Sequence, residues 1–207
     1  MTEFYFLRHG QTQINLEQRF NGATVDSPLT QAGIKGAEGL NRYLKDCRFE
    51  KIYCSPQFRA QTTLQLALAQ SNHHQPLQYI VDERLREFHF GKWEGIPFSQ
   101  VDADILKQYH QSPATFDTQA FQMESYGHLY ERGNALIQEI YQQFPAGKIL
   151  IVGHGVHLTL LIQGLLGTPI AQFRKDGLLP NASLTIVDYQ PSQAQLVTWG
   201  LTAQTGH

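Results

Sequence analysis

Two short uninterrupted apolar and aromatic runs constrain this chain more than anything else in it. Phe4-Tyr5-Phe6-Leu7 and Ile149-Leu150-Ile151-Val152 show no alternation of polar and apolar residues, so neither suits a strand with one wet face. Runs of this kind fit strands covered on both sides, as in the parallel sheet of an α/β protein. Each run ends in the same way: the first gives way to Arg8-His9-Gly10, the second to Gly153-His154-Gly155. Ligands of open α/β sheets bind just beyond the carboxyl ends of the strands, where both histidines fall.

Between these runs, strand and helix signals alternate. Phe49 to Cys54 reads as a short strand stopped by Ser55-Pro56, and a helix follows from about Gln57 to Ala69. Pro56 suits a first helical turn, and Ser55 is placed to cap the amides there. Arg59 then lies in that first turn, level with His9 along the sheet edge. Upstream, Ile14 and Leu16 are the apolar anchors of the polar stretch Gln11 to Arg19. Thr30 is placed as the N-cap of a helix carrying Ala32, Ile34, Ala37, Leu40 and Leu44 at helical spacing. Its glycines weaken it on propensity, so packing must hold it.

Leu77 to Val81 is a further extended piece, Leu129 to Phe144 a helix, and Val156 to Leu166 an apolar helix. Leu184 to Tyr189 and Gln195 to Trp199 read as strands toward the sheet edges. Residues 96–130 are polar and dotted with aromatics. They are expected to form an insertion with short helices over the active face, within one domain spanning 1–207.

Composition removes several classes of function. A net charge of −2 with 16% charged residues is wrong for a general nucleic-acid binder. Apolar stretches fall short of the roughly 18–20 residues a membrane span requires. Met1-Thr2-Glu3 carries no signal-peptide pattern, and Cys47 and Cys54 form neither a disulfide framework nor a CxxC site. A soluble, cytoplasmic protein is expected, monomeric or homodimeric, with no nucleic-acid or membrane partner. His73, His74, His110 and His128 sit among polar neighbours and are expected to face solvent.

Parallel strands point their carboxyl ends to one edge, so Arg8, His9, Arg59 and His154 can converge although distant in sequence. Two arginines and the helix N-termini after residues 55 and 155 make an anion site. Arginine's planar fork suits a tetrahedral phosphate. No GxxxxGK[ST] is present and no GxGxxG follows a strand, so a phosphate-monoester clamp is favoured over a nucleotide cradle. In such a clamp a neutral histidine can attack phosphorus, its imidazolium being disfavoured by the adjacent arginines. A carboxylic acid must then protonate the leaving alkoxide. The loop from Asp82 to Gly95 supplies candidates in Glu83, Glu87 and Glu94, which side-chain chemistry alone does not separate.

Leu7-Arg8-His9-Gly10, Ser55-Pro56 with Arg59-Ala60-Gln61-Thr62, Leu85-Arg86-Glu87 with Trp93-Glu94-Gly95, and Gly153-His154-Gly155 together resemble the histidine phosphatase (phosphoglycerate mutase-like) superfamily. The resemblance covers nearly the whole chain, with the motifs in the family's order. It implies a three-layer α/β sandwich with a mostly parallel central sheet flanked by helices, and no cofactor or metal. It also implies a phosphohistidine on His9, a phosphate pocket completed by Arg8, Arg59 and His154, and Glu87 as proton donor and acceptor. Asn15, Asn21 and Gly22 match secondary substrate contacts, and Asn181 matches a late motif that returns the chain toward the site.

The resemblance leaves a division between hydrolases and mutases. Mutases dependent on 2,3-bisphosphoglycerate carry an extra basic segment after the acid loop, whereas residues 96–130 hold Lys107 as their only lysine or arginine. The ending Trp93-Glu94-Gly95 resembles the phosphatase branch, including broad-specificity and α-ribazole phosphatases. The expected activity is therefore hydrolysis of a small phosphorylated metabolite, with the mutase as the alternative. A metallohydrolase using His9, His154 and His157 lacks any HExxH-type spacing, and His157 reads as a packed helix residue. A phosphoester-binding module without turnover is disfavoured by the intact pair His9 and Glu87.

Overall fold

The computed structural model describes residues 1–191 and 193–204, and its core is one six-stranded sheet. The strands are β1 (Thr2–Arg8), β2 (Lys51–Cys54), β3 (Ile80–Val81), β4 (Gly147–Gly153), β5 (Ser183–Gln190) and β6 (Gln193–Thr202). Their order across the sheet is β3-β2-β4-β1-β5-β6. The first four are mutually parallel, and β5 and β6 add as antiparallel strands at one side.

The apolar runs occupy the centre, and their alternation divides the core into two layers. Phe4 and Phe6 of β1, with Ile149 and Ile151 of β4, face one side. There they meet Leu136, Ile137 and Ile140 of α6 (Tyr126–Gln143) and Leu158, Leu161 and Ile162 of α7 (Gly155–Leu165). Tyr5, Leu7, Leu150 and Val152 face the other side. Their partners come from α2 (Gln31–Gly39), α3 (Asn41–Leu44) and α4 (Phe58–Ala67), among them Leu44, Ala60 and Leu64. Full burial of one such side chain stabilises the fold by about 1.5–3 kcal/mol. Both faces of β1 and β4 are therefore dry, and the architecture is the three-layer α/β sandwich.

A third apolar cluster sits beyond the carboxyl ends of the strands. Phe88, Phe90 and Trp93 from the acid loop pack with Phe20, Tyr109, Tyr126 and Phe173. Tyr109 belongs to α5 (Ala103–Gln111), so the segment 96–130 contributes a short helix to this aromatic cover.

Local differences from the sequence reading have local causes. The expected helix from residue 31 to 44 breaks at Leu40 into α2 and α3, although Thr30 caps it as expected by accepting from Gly33 N at 3.0 Å. Leu16 is 56% exposed and anchors nothing, since the helix α1 (Gln13–Leu16) is a single turn. Ser55 accepts from Gln57 N at 3.4 Å and from His154 Nε2 at 2.7 Å, but it does not reach the first-turn amides of α4. Asp26 accepts the first amide from Phe58 instead, at 2.7 Å, a partner 32 residues away that local reading could not supply. His74 is half-buried rather than solvent-facing, its Nε2 accepting from Phe49 N at 3.0 Å.

Candidate active site

Strand register brings the two histidines together. Arg8 pairs with Gly153 and Cys54 with Val152, so His9, Ser55 and His154 leave their strands at one edge. The His9 and His154 ring centroids are 5.2 Å apart. The amide of His9 donates to Gly153 O at 3.0 Å, and its carbonyl accepts from Ala182 N at 3.0 Å and Asn181 Nδ2 at 3.2 Å. Asn181 thus holds the main chain of His9 and is not among the residues that line the cavity beside it.

The geometry settles the His9 tautomer. Nδ1 lies 2.7 Å from Gly10 O, and a carbonyl can only accept, so Nδ1 carries the hydrogen. Nε2 of the neutral ring keeps its lone pair. Burial, then the charges of Arg59 and Arg8, hold the pKa of His9 well below the ordinary histidine value, while the Gly10 carbonyl opposes them. Burial outranks the arginines here, which sequence reasoning had put first. Gly10 is required for the close approach of α2, because a Cβ would stand 2.7 Å from Gly33 O.

A cavity of about 100 Å³ opens on this edge. Of the residues singled out in the sequence, Arg8, His9, Asn15, Asn21 and Glu87 line it. Arg8 lays its guanidinium against the main chain of Gly155, where a Cβ would come within 2.8 Å of Arg8 Cζ, and it donates through NH1 to Leu179 O. Burial pushes its pKa down to about 10, so it stays charged at neutral pH.

Glu87 is 4% exposed and is clasped by main-chain amides. Oε1 accepts from Phe88 N at 2.8 Å and His157 N at 2.9 Å, and Oε2 accepts from Val156 N at 3.0 Å. The carboxylate therefore occupies the N-terminus of α7, which sequence reading assigned to the substrate anion. A helix N-terminus satisfies any anion, and here it fixes the acid. The competing carboxylates are elsewhere. The Glu83 side chain is 73% exposed and pairs with Arg86, and Glu94 accepts from Ala23 N and Phe90 N at 2.9 Å.

Arg59 and His154 adjoin His9 from behind rather than lining the cavity. Arg59 is 1% exposed, and its five N–H groups all have acceptors in the protein. Nε donates to His154 Nδ1 at 3.2 Å; NH1 serves Val25 O and Asp26 Oδ1; NH2 serves Asn21 O and Gly22 O. Because His154 Nδ1 accepts, its Nε2 carries the hydrogen and donates to Ser55 Oγ at 2.7 Å. Burial, then Arg59, keep His154 neutral by lowering its pKa well below the ordinary value. Gly22 is also not at the cavity wall: a side chain there would overlap Glu94 and Phe90. Asn15 and Asn21 share Thr12, whose Oγ1 donates to Asn15 Oδ1 at 3.0 Å and accepts from Asn21 Nδ2 at 2.9 Å.

Sequence reading missed several parts of the site. Gln57 joins the loop to the acid, donating to Gly22 O at 2.9 Å and accepting from Glu87 N at 2.9 Å. Arg19, His110 and Arg174 also line the cavity, and none lies in a recognisable motif. His110 is exposed as expected, but beside Arg174. His157 is fully buried within α7, the packed position expected for it. No helix among the described residues is long and apolar enough to cross a membrane.

Comparison with known proteins agrees with this fold. The profile of the histidine phosphatase superfamily (branch 1) matches residues 4–202. The chain is 32% identical over 194 residues to the probable phosphoglycerate mutase GpmB of Yersinia pestis, covering 93% of this chain and 87% of that protein. It is also 32% identical over 108 residues to the fructose-2,6-bisphosphatase TIGAR of Xenopus tropicalis, but that match spans 52% of this chain and 39% of TIGAR. A mycobacterial glucosyl-3-phosphoglycerate phosphatase superposes with a TM-score of 0.83 at 28% identity, covering 96% of this chain and 98% of that one.

Proposed function

The chain belongs to the histidine phosphatase superfamily, branch 1, and from that membership we propose that it hydrolyses phosphate monoesters of small metabolites through a phosphohistidine on His9. One observation carries the reading. His9 is held neutral with Nδ1 tied to Gly10 O, which leaves the Nε2 lone pair as the nucleophile in a cavity shared with Arg8 and Glu87.

In the first half-reaction His9 Nε2 attacks phosphorus and the P–O ester bond breaks. Arg8 stabilises charge on the equatorial oxygens. Glu87, entering as the acid, gives its proton to the departing alkoxide. In the second, the Glu87 carboxylate takes a proton from water as that water attacks the phosphohistidine. Inorganic phosphate leaves, and His9 and the protonated acid are restored. Arg59 and His154 act from behind. Arg59 holds the main chain of residues 21–26 and aligns His154, and its positive charge favours a bound phosphate.

Incubation with a ³²P-labelled monoester, quenched in denaturant at alkaline pH, tests this. An acid-labile, base-stable label on His9 is expected, with turnover that persists in chelator and is abolished with the label in His9→Ala. A label that survives His9→Ala, or hydrolysis that stops in chelator, defeats the proposal. The likeness to GpmB favours one other reading, a mutase. Release of inorganic phosphate from 3-phosphoglycerate, rather than its isomerisation in the presence of 2,3-bisphosphoglycerate, separates the two.

A further inference from the structure

The cavity lined by the nucleophile also contains a second cation that forms no ion pair among the described residues. Arg174 lies in the connection between α7 and β5, carried inward beside the fully buried Phe173. Its guanidinium sits 4.1 Å from the Tyr109 ring centroid, 5.0 Å from that of Phe173 and 5.6 Å from that of Tyr126. NH2 donates to Tyr109 Oη at 2.5 Å and Tyr126 Oη at 3.2 Å. NH1 lies 3.3 Å from His110 Nδ1, and because a guanidinium only donates, that nitrogen accepts and His110 Nε2 carries its hydrogen. Partial desolvation of the ring, then the Arg174 charge, lower the pKa of His110 below the ordinary histidine value.

What Arg174 lacks is an anion in bonding contact. Among the described residues no carboxylate forms an ion pair with Arg174, and its Nε is buried without any hydrogen-bond partner. A charge drawn out of water is costly unless paired, so an aromatic collar with two phenols leaves this one incompletely compensated. The one acid lining the cavity, Glu87, is committed to the amides of α7. Arg19, paired with Glu17 at 3.2 Å, also lines the cavity. A structural arginine would be expected to use its inner N–H, as Arg59 does with all five of its own.

Building on the phosphatase reading above, we propose that Arg174 is the specificity residue of this site and receives a second anionic group of the substrate. The preferred substrates are then small phosphate monoesters bearing a carboxylate or a second phosphate, with the reacting phosphate at His9 and Arg8. The cation comes from the connection before β5, which is why residues 96–130 gave no sign of it. Their contribution is Tyr109 and His110, which aim and border the guanidinium.

The test uses three esters of similar size: glycerol 3-phosphate, 3-phosphoglycerate and propane-1,3-diyl bisphosphate. A charge-assisted hydrogen bond contributes about 1.5–3 kcal/mol, so kcat/KM for at least one of the two esters with a second anionic group should exceed that for glycerol 3-phosphate by roughly 10–150-fold. In Arg174→Met, which keeps the apolar stem, that ratio should collapse toward one, and Arg174→Lys should recover part of it. A structural role would lower all three together and leave the ratio unchanged, which would overturn the inference. So would a wild-type ratio near one. Calorimetric binding of the same three compounds to the full chain reads the ratio without turnover. If hydrolysis is absent but the binding ratio and its loss in Arg174→Met persist, the phosphatase reading fails and this inference stands. If hydrolysis proceeds and both ratios are flat, only this inference fails. The carboxylate and bisphosphate arms identify which second anion the site takes.

Discussion

At the scale of single residues, the site separates three carboxylates that are equivalent in the sequence. Glu83 is out in solvent and Glu94 accepts from the amides of Ala23 and Phe90 without lining the cavity, whereas Glu87 lines it together with His9. Glu87→Gln should therefore slow hydrolysis of alkyl phosphates by roughly 10²–10⁴, the range for loss of a general acid. It should slow p-nitrophenyl phosphate far less, because that leaving group departs without a proton. Glu83→Gln should match wild type on both. A leaving-group-dependent loss in Glu83→Gln instead would remove the acid role from Glu87. Measured as Brønsted plots over a series of leaving groups, the two variants should differ in slope and not only in rate.

Among the elements, close main-chain contact sets the position of the nucleophile. The first turn of α2 packs on the segment just after His9, and a methyl group at Gly33 would overlap the carbonyl oxygen of Gln11. Two opposed effects decide Gly33→Ala. Helix propensity favours alanine by at most about 1 kcal/mol. Forcing a methyl group into a filled contact typically costs about 1–3 kcal/mol, and here the neighbour is backbone and cannot swing aside. We expect a net loss of about 1–2 kcal/mol in urea denaturation, with reduced turnover because His9 is moved. An increase in stability would show that propensity wins and that α2 is free to shift. The same scale explains why both helix N-termini near the site carry protein carboxylates, Asp26 on α4 and Glu87 on α7. Each element is tied at its start to a loop bearing site residues.

At the scale of the whole molecule, pH dependence of stability follows from buried histidines. Burial is the largest cause holding His9, His154 and His157 well below the ordinary value of 6.5. Each binds its proton more readily unfolded than folded, so the unfolded state takes up protons as pH falls through 6.5. Stability is then complete above that value and declines below it. With three such groups the slope approaches about 4 kcal/mol per pH unit, three times the single-proton value. Denaturation at pH 7.5, 6.5 and 5.5 should show little change over the first interval and a steep loss over the second. Equal stability at 7.5 and 5.5 would contradict the burial of these rings, and His157→Gln should reduce the proton uptake by about one.

The sequence alone determined the features that depend on neighbours along the chain. Phe4 to Leu7 and Ile149 to Val152 had to be covered on both faces because every side chain in them avoids water, and that made the sheet and its active edge legible. The ordered motifs added the family and named His9, Arg8 and Glu87, all of which line one cavity. What depends on pairing across distance was decided by tertiary structure. The capping of α4 by Asp26 joins residues 32 apart, and the second cation of the cavity comes from residue 174, against a tyrosine from residue 109. Arg59 and His154 were legible as members of the site but not as its rear wall, because only the folded chain shows which acceptors their N–H groups already hold. A side chain's type limits the bonds it can make. Which of those bonds remain open to a substrate is fixed by what the fold has placed within about 3 Å of it.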